Sequence, residues 1–471
     1  MCGILLTTRA TEMPEILDSI KHRGIERSEI SFDNGVTLCH HRLPIQTIDG
    51  DKWSQPIEVS PGIYLMFNGE IFNYDSRIFS SDTEYLCNLF SNLKTLNPEF
   101  FCGIYVPHIQ TWDGFWAIVL YDSSSGDIIA FTDPLGKKCL YKNELGEICS
   151  EIKGLFTGQS EFDQHFISSV RKWGYVTNNT TPFVNIKRVM PNNIYSYNIA
   201  SPSFDKMFPK YYRTWEAPIR ELIGADYEAH MNWLWDKMFD SVKARLVSKN
   251  YPIALLMSGG LDSSIIAAIL NQTDSKVQWY SIENGEKEYV DLLSSHIGAS
   301  PVFLDYKMDN DRISEIYADW NESPIDLGSV IPQFFLFDAV KKTSGYRIVI
   351  SGDGSDELFG GYRRIHEYDS QQSDIFDELS FYHLPRLDKM SMAHTLELRS
   401  PFLNLDIVRF ASHLPKEWRT DKKILKDTFG PLLPIEIVNR KKEALKNPEI
   451  KEDVLSYRQK AVDLFINSFS K

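Results

Sequence analysis

The sequence predicts two packed domains of different class: an α+β domain of antiparallel strands over residues 1–205, then an α/β domain with a parallel sheet over residues 206–471. Two observations carry this. Before residue 205, short alternating or apolar segments are divided by turn residues; beyond it, each apolar strand after the first is preceded by a helix-like stretch. Length agrees, because 471 residues with 43% apolar and 13% aromatic content can bury more than one core.

The elements follow in order. The chain opens Met1-Cys2-Gly3-Ile4 and enters a strand at 4–7. Removing the initiator Met would leave a thiol and a free α-amine on Cys2. A free thiol titrates near about 8.5 and an α-amine near about 7.7–8.0, so the amine can take the thiol proton without a His. Cys2 is therefore a candidate self-activated nucleophile, and equally an ordinary small apolar residue; these few residues leave both readings open. The strand 115–121, the turn Asp122 to Gly126 and the strand 127–131 form a hairpin. The stretch 198–213 has no clear period and reads as a linker. Helical periodicity then runs over 227–246, with strands at 253–257, 277–281 and 347–350 and a helix from about Asp262.

Fifty basic against 64 acidic residues give a net charge of −14, which argues against nucleic-acid or anionic-membrane partners and for small molecules. The six cysteines (Cys2, Cys39, Cys87, Cys102, Cys139, Cys149) fall in the first third without C-x-x-C spacing. With no signal-like segment behind a basic start, this reads as a reduced, cytoplasmic protein. The longest apolar runs fall far short of the roughly 20 residues that span a bilayer.

Two loops carry the chemistry of the second half. The strand 253–257 runs into Ser258-Gly259-Gly260-Leu261-Asp262-Ser263-Ser264 and a helix. A strand, a Gly-Gly turn and a helix N-terminus gather backbone N–H groups that favour phosphate. A tight βα turn would tolerate many other sequences. The strand 347–350 runs into Ser351-Gly352-Asp353-Gly354-Ser355-Asp356-Glu357. If the two strands are neighbours, both loops meet at the carboxyl end of one sheet, where open α/β folds bind ligands. Carboxylates beside phosphates make electrostatic sense with a divalent cation between them, so Asp262 and Asp356 are the candidate Mg²⁺ ligands and Asp353 remains for proton transfer. A solvated acidic turn is the bland alternative.

These two loops, with the run from Arg386 to Leu403, resemble the ATP-pyrophosphatase domain of the asparagine synthetase family. Taken alone, the run 386–403 reads as a helix followed by a Pro turn. The resemblance implies ATP as co-substrate, cleaved to AMP and pyrophosphate, with Leu256, Ser258, Gly259, Gly260, Asp262, Ser263, Ile282, Ser351 and Gly352 around the nucleotide. Arg440-Lys441-Lys442-Glu443 is similar to a basic segment whose lysine, here Lys442, approaches the phosphates; as a bare pattern it is a solvated charge run.

The first domain resembles the companion class II glutaminase, an N-terminal-nucleophile hydrolase with an antiparallel β-sandwich and helices. The resemblance makes Cys2 the nucleophile. It places the glutamine carboxylate on Arg42, the oxyanion on Asn68 and the N–H of Gly69, and the glutamine amine on Asp82, with Glu70 in the same pocket. Singly, Asn68-Gly69 would be a hairpin turn and Asp82 an N-cap. Departures exist: His22-Arg23-Gly24-Ile25-Glu26 replaces H-R-G-P-D, Thr132-Asp133 replaces R-D, and Asn321-Glu322-Ser323-Pro324-Ile325-Asp326 only approximates D-E-P-x-x-D.

The implied function is a carbon–nitrogen ligase. Cys2 releases ammonia from glutamine, and the ammonia opens an acyl-adenylate made from ATP and a carboxylate, L-aspartate by the family's commonest activity. The implied partners are those small molecules, with room for a homodimer. An amidotransferase of the same build acting on a sugar-acid, peptide or natural-product carboxylate is the alternative, and a degenerate, non-catalytic binding protein the remote one.

Overall fold

The computed structural model describes residues 2–46, 52–156, 161–209, 218–273, 276–282, 287–325, 327–343, 345–361, 377–441 and 454–469. Among the described residues the first part contains twelve strands: β1 (Cys2–Thr7), β2 (Glu26–Ser31), β3 (Thr37–Arg42), β4 (Ile57–Ser60), β5 (Ile63–Ile71), β6 (Gly114–Asp122), β7 (Asp127–Thr132), β8 (Tyr141–Asn143), β9 (Ile148–Cys149), β10 (Ile186–Arg188), β11 (Asn193–Asn198) and β12 (Ser201–Pro209). They form two antiparallel sheets, ordered β10-β8-β9-β1-β3-β2 and β12-β11-β7-β6-β5-β4.

Period-2 alternation stacks these sheets. Ile4 and Leu6 of β1 meet Met66 of β5 and Ala117, Val119 and Tyr121 of β6 in the inner layer. Leu5, Leu65, Phe67, Ile118 and Leu120 point outward into a second core. There the second sheet packs against helices α1 (Asp82–Phe90) and α2 (Pro98–Ile109), through residues such as Leu86, Phe90 and Phe101. This is the expected β-sandwich with helices.

Of the segment 198–213 read as a linker, 198–209 belong instead to the hairpin β11–β12, paired from Asn193↔Pro209 to Asn198↔Ser201 across a bulge, and 210–213 lie outside the described residues. The segment's prolines misled the reading. β12 is an edge strand, where a missing N–H can be tolerated.

The second part is built on a five-stranded parallel sheet: β13 (Ile253–Leu256), β14 (Val277–Ile282), β15 (Val302–Leu304), β16 (Ile348–Ile350) and β17 (Glu397–Arg399), in the order β15-β14-β13-β16-β17. The long helix read at 227–246 is α4 (Tyr227–Ala244), after α3 (Gln164–Trp173) of the first part. Helix α5 (Leu261–Asn271) follows β13 and buries every residue from Ser263 to Leu270, so it lies inside the fold rather than on it. Helices α6 (Lys287–Ile297), α7 (Leu327–Thr343), α8 (Leu384–Met392) and α9 (Leu405–His413) complete the layers. The last helix, α10 (Val454–Ser468), returns to the first part, where Val462 packs on Phe166, Ile167 and Val170 of α3. Among the described residues no helix is long and apolar enough to cross a membrane.

Candidate functional site

Two constellations stand out. The first gathers every residue expected to handle glutamine. Cys2 pairs in register with Arg42 across β1 and β3, and its backbone nitrogen donates to Asn68 Oδ1 at 2.9 Å. Asn68 Nδ2 is buried without a partner, an amide donor held ready beside the thiol. Asn68-Gly69-Glu70 is not a turn; it lies inside β5. Gly69 is required there because a Cβ would sit 2.1 Å from the carbonyl oxygen of Phe115 on β6. Asp82 is not the N-cap of α1, a role Ser81 takes. Its carboxylate accepts from the backbone N–H of Ile71 (3.2 Å) and Thr83 (2.8 Å), which brings it to the end of β5. Arg42 reaches Glu26 Oε2 at 3.2 Å, so the altered H-R-G-I-E loop returns a carboxylate to that arginine.

Burial sets the electrostatics of this pocket. It pushes the Cys2 thiol up, opposed by the Leu43 backbone hydrogen bond and the Arg42 charge. Desolvation raises Asp82 to about 7 against its two backbone hydrogen bonds. It holds Glu70 well above the usual carboxylate range, helped by nearby Glu397 and Asp82. Glu70 accepts from Gln46.

The second constellation lies at the carboxyl ends of β13 and β16, which are adjacent in the parallel sheet. Leu256 ends β13 and Ile282 ends β14. Ser258 and Ser263 hydroxyls lie 3.1 Å apart, and Gly260 N–H donates to Ser258 Oγ at 3.3 Å. Gly259 adopts φ +68°, and a Cβ on it would press 2.8 Å from Tyr289 Cβ. The loops touch: Ser355 Oγ donates to Asp262 Oδ1 at 2.6 Å, and Gly352 leaves no room for a Cβ beside Asp262. Ser351 Oγ donates to Asp353 at 2.5 Å, while burial pushes the Asp353 carboxyl above its usual range.

Lys422 was not legible in the sequence. Its Nζ lies 2.6 Å from both Asp262 Oδ2 and Asp356 Oδ1, so two loop carboxylates converge on one cationic point. It is presented by consecutive left-handed residues, Asp421 (φ 53°) and Lys422 (φ 58°), a strained conformation for side chains of this kind. Lys442 lies outside the described residues.

The interface between the two parts holds the other residues that the sequence did not reveal. Arg23 donates to Cys2 O (3.0 Å), Glu151 (2.7 Å) and Asp388 on α8 (2.8 Å). Lys138 Nζ also meets Asp388, at 2.5 Å. Glu322 accepts from the N–H groups of Ile152 and Lys153 and pairs with Lys389 at 2.9 Å. Arg399 pairs with Glu397 at 2.6 Å and reaches Glu70 at 3.7 Å.

Comparison with known proteins matches each half of the chain to a family model. The glutamine amidotransferase domain model matches residues 1–208, and the asparagine synthase model matches residues 234–386 and 369–465. The chain belongs to the glutamine-hydrolysing asparagine synthetase family. It is 27% identical to the glutamine-hydrolysing asparagine synthetases of Pongo abelii and Homo sapiens, over 95% of this chain and 84% of each relative. It is 26% identical to that of Sandersonia aurantiaca, over 94% of this chain and 86% of the relative. A solved U34-tRNA thiolase from Methanococcus maripaludis gives a TM-score of 0.25 at 14% identity, covering 51% of this chain and 73% of that one, a likeness too slight to bear on the fold.

Proposed function

We propose that the protein makes L-asparagine from L-aspartate, ATP and glutamine, in a reducing cytoplasmic compartment. The observation that carries this is one buried interface joining the two constellations: Arg23 bonds the Cys2 carbonyl on one side and Asp388 on the other. Cys2, freed of Met1, attacks the glutamine amide while its α-amine takes the thiol proton, a role that matters because burial disfavours the thiolate. Asn68 Nδ2 and the Gly69 N–H receive the oxyanion. A donor of this kind is worth about 10²–10³ in turnover. Arg42 grips the glutamine carboxylate and Asp82 its ammonium, and Glu70 borders the pocket.

In the second half the acceptor carboxylate attacks the α-phosphate of ATP, pyrophosphate leaves, and ammonia opens the acyl-adenylate. Leu256, Ser258, Gly259, Gly260, Ser263, Ile282, Ser351 and Gly352 hold the nucleotide. Among the described residues no cluster of three or more His, Cys, Asp or Glu forms a metal site. Asp262 and Asp356 nevertheless converge on one cation, which fits Mg²⁺ held by two carboxylates plus substrate phosphates. Bound there, Mg²⁺ would neutralise charge on the separating phosphates. Lys422 and Lys442 add cations to the leaving pyrophosphate. Asp353, its carboxyl raised by burial, takes the proton from attacking ammonia.

A second reading keeps the chemistry and changes the acceptor. It is favoured by Glu322, which the structure uses to tie Ile152, Lys153 and Lys389 across the interface in the segment that departs from the family pattern. The test mixes ¹⁸O-aspartate, Mg-ATP and glutamine and measures asparagine, AMP and pyrophosphate. Equal yields with label in AMP are expected, and Cys2→Ala should keep only ammonium-driven synthesis. ADP and orthophosphate as products would remove the second-half assignment. Pyrophosphate released with another carboxylate and not with aspartate would move the assignment to the second reading.

A further inference from the structure

A cavity of about 530 Å³, counting its mouth, opens between the two parts of the molecule. None of the residues proposed for glutamine, nucleotide or Mg²⁺ lines it. The first part supplies Arg188, on β10, and Tyr141; the second supplies Ser323, Phe381 and Tyr382. Among the described residues, three cationic side chains (Arg188, Arg386, Lys389) border it and no Asp or Glu does.

The three cations are not equivalent. Lys389 is neutralised by Glu322 at 2.9 Å, and Arg386 donates to Gln333. Arg188 is 7% exposed, yet its partners are neutral. Its Nη1 donates to the Ser380 carbonyl (2.7 Å), its Nη2 to the Gly136 carbonyl (3.2 Å), and its guanidinium lies over the Phe381 ring at 5.1 Å. Its Nε has no acceptor at all. A buried cation facing only neutral groups is costly, and an anion that enters beside it relieves that cost. Across the cavity, Ser323 Oγ is also buried without a partner. Two idle donors, one charged, thus share a cavity that, among the described residues, is lined by four aromatic rings (Tyr141, Phe166, Phe381 and Tyr382) and no carboxylate.

We propose that this cavity is a binding site for a small organic carboxylate that bears no ammonium group. The carboxylate takes the Arg188 Nε–H and the Ser323 hydroxyl, and the organic body lies against Phe381 and Tyr382. An amino acid is disfavoured because, among the described residues, no carboxylate in the lining receives its ammonium. Because the donors come from both parts of the chain, the ligand would bridge them.

The test is calorimetric titration of the full-length protein, without substrates, using benzoate as probe. Benzamide serves as its neutral isostere and inorganic phosphate as a competing anion chemistry. Benzoate should bind and benzamide should not. Arg188→Met should weaken benzoate at least about tenfold, the scale of a lost charge-assisted hydrogen bond. Arg188 also braces Ser380 and Gly136, so Ser323→Ala is the second variant; its hydroxyl holds nothing in the fold, and its loss should weaken benzoate by several-fold. Absence of benzoate binding, equal binding of benzamide, preference for phosphate, or unchanged affinity in Ser323→Ala would each overturn the proposal.

Discussion

Replacing Asp388 by Asn should loosen the interface that holds the two constellations together. Asp388 stands between Arg23 Nη2 at 2.8 Å and Lys138 Nζ at 2.5 Å, with all three side chains at most 1% exposed. Glu151 still compensates Arg23 in the variant. Lys138 then loses its only ion-pair partner within contact and keeps the Phe115 ring at 4.9 Å and the more distant field of buried Glu397 among the described residues. Removing one partner of a buried pair costs about 3–5 kcal/mol, because the ion left behind cannot be rehydrated. At about 1.4 kcal/mol per decade, opening of the interface should become roughly 10²–10³ times more frequent. Hydrogen exchange, followed by mass spectrometry in peptides covering 2–7 and 384–392, reads that opening directly. The native pair keeps the Asp388 carboxyl below its usual range. Its contribution is therefore complete above the unfolded carboxylate value and is lost as pH falls through the folded one. The wild-type difference from Asp388→Asn should accordingly be flat from pH 6 to 8. An exchange increase below about fivefold would refute the cost assigned to the orphaned lysine. So would a double variant Lys138→Met, Asp388→Leu that exchanges as fast as the single one, since it removes the lysine left without its carboxylate while Glu151 still compensates Arg23.

Two other expectations follow from named groups. Asp82 is raised to about 7 by burial, so it gains a proton as pH falls below that value and no longer attracts an ammonium. KM for glutamine should rise toward about tenfold per pH unit below 7 and level off above it; a flat KM between pH 6 and 8 would remove Asp82 from the binding of the amine. Lys422→Met should lower ATP-dependent synthesis by about 10²–10³ while leaving glutamine hydrolysis within about twofold of wild type. Unchanged synthesis would make Lys422 a mere counter-ion of Asp262 and Asp356.

Both glycine loops and the glutamine pocket were legible because close approach restricts residue type. Gly69, Gly259 and Gly352 stand where a Cβ would strike backbone or a neighbouring Cβ, and such positions leave a mark in sequence. Strand β17 left none. It has three residues, Glu397-Leu398-Arg399, and charged residues ordinarily mark a surface. Here both charges are fully buried because they neutralise each other on one face of the strand at 2.6 Å. Within the run 386–403, read as a helix followed by a Pro turn, the helix therefore stops at Met392 and this strand precedes Pro401. Lys422 was hidden for a different reason. Asp421-Lys422-Lys423 looks like a solvated charge run, and only the left-handed backbone at Asp421 and Lys422 turns one of its lysines between two carboxylates.

The strand that the sequence concealed is also the one that bears on both constellations. The carbonyl of Arg399 accepts from the N–H of Ser351 at the head of the second loop (3.0 Å), while its guanidinium reaches Glu70 in the first pocket at 3.7 Å. The same guanidinium is fastened to the carbonyls of Arg245 and Val247, both at 2.7 Å. Those two bonds and the 2.6 Å pair with Glu397 hold the guanidinium in place beside Glu70, while its backbone carbonyl holds the head of the second loop. One residue of β17 thus touches both constellations, Ser351 through its carbonyl and Glu70 through its guanidinium, and ties them through a single short strand.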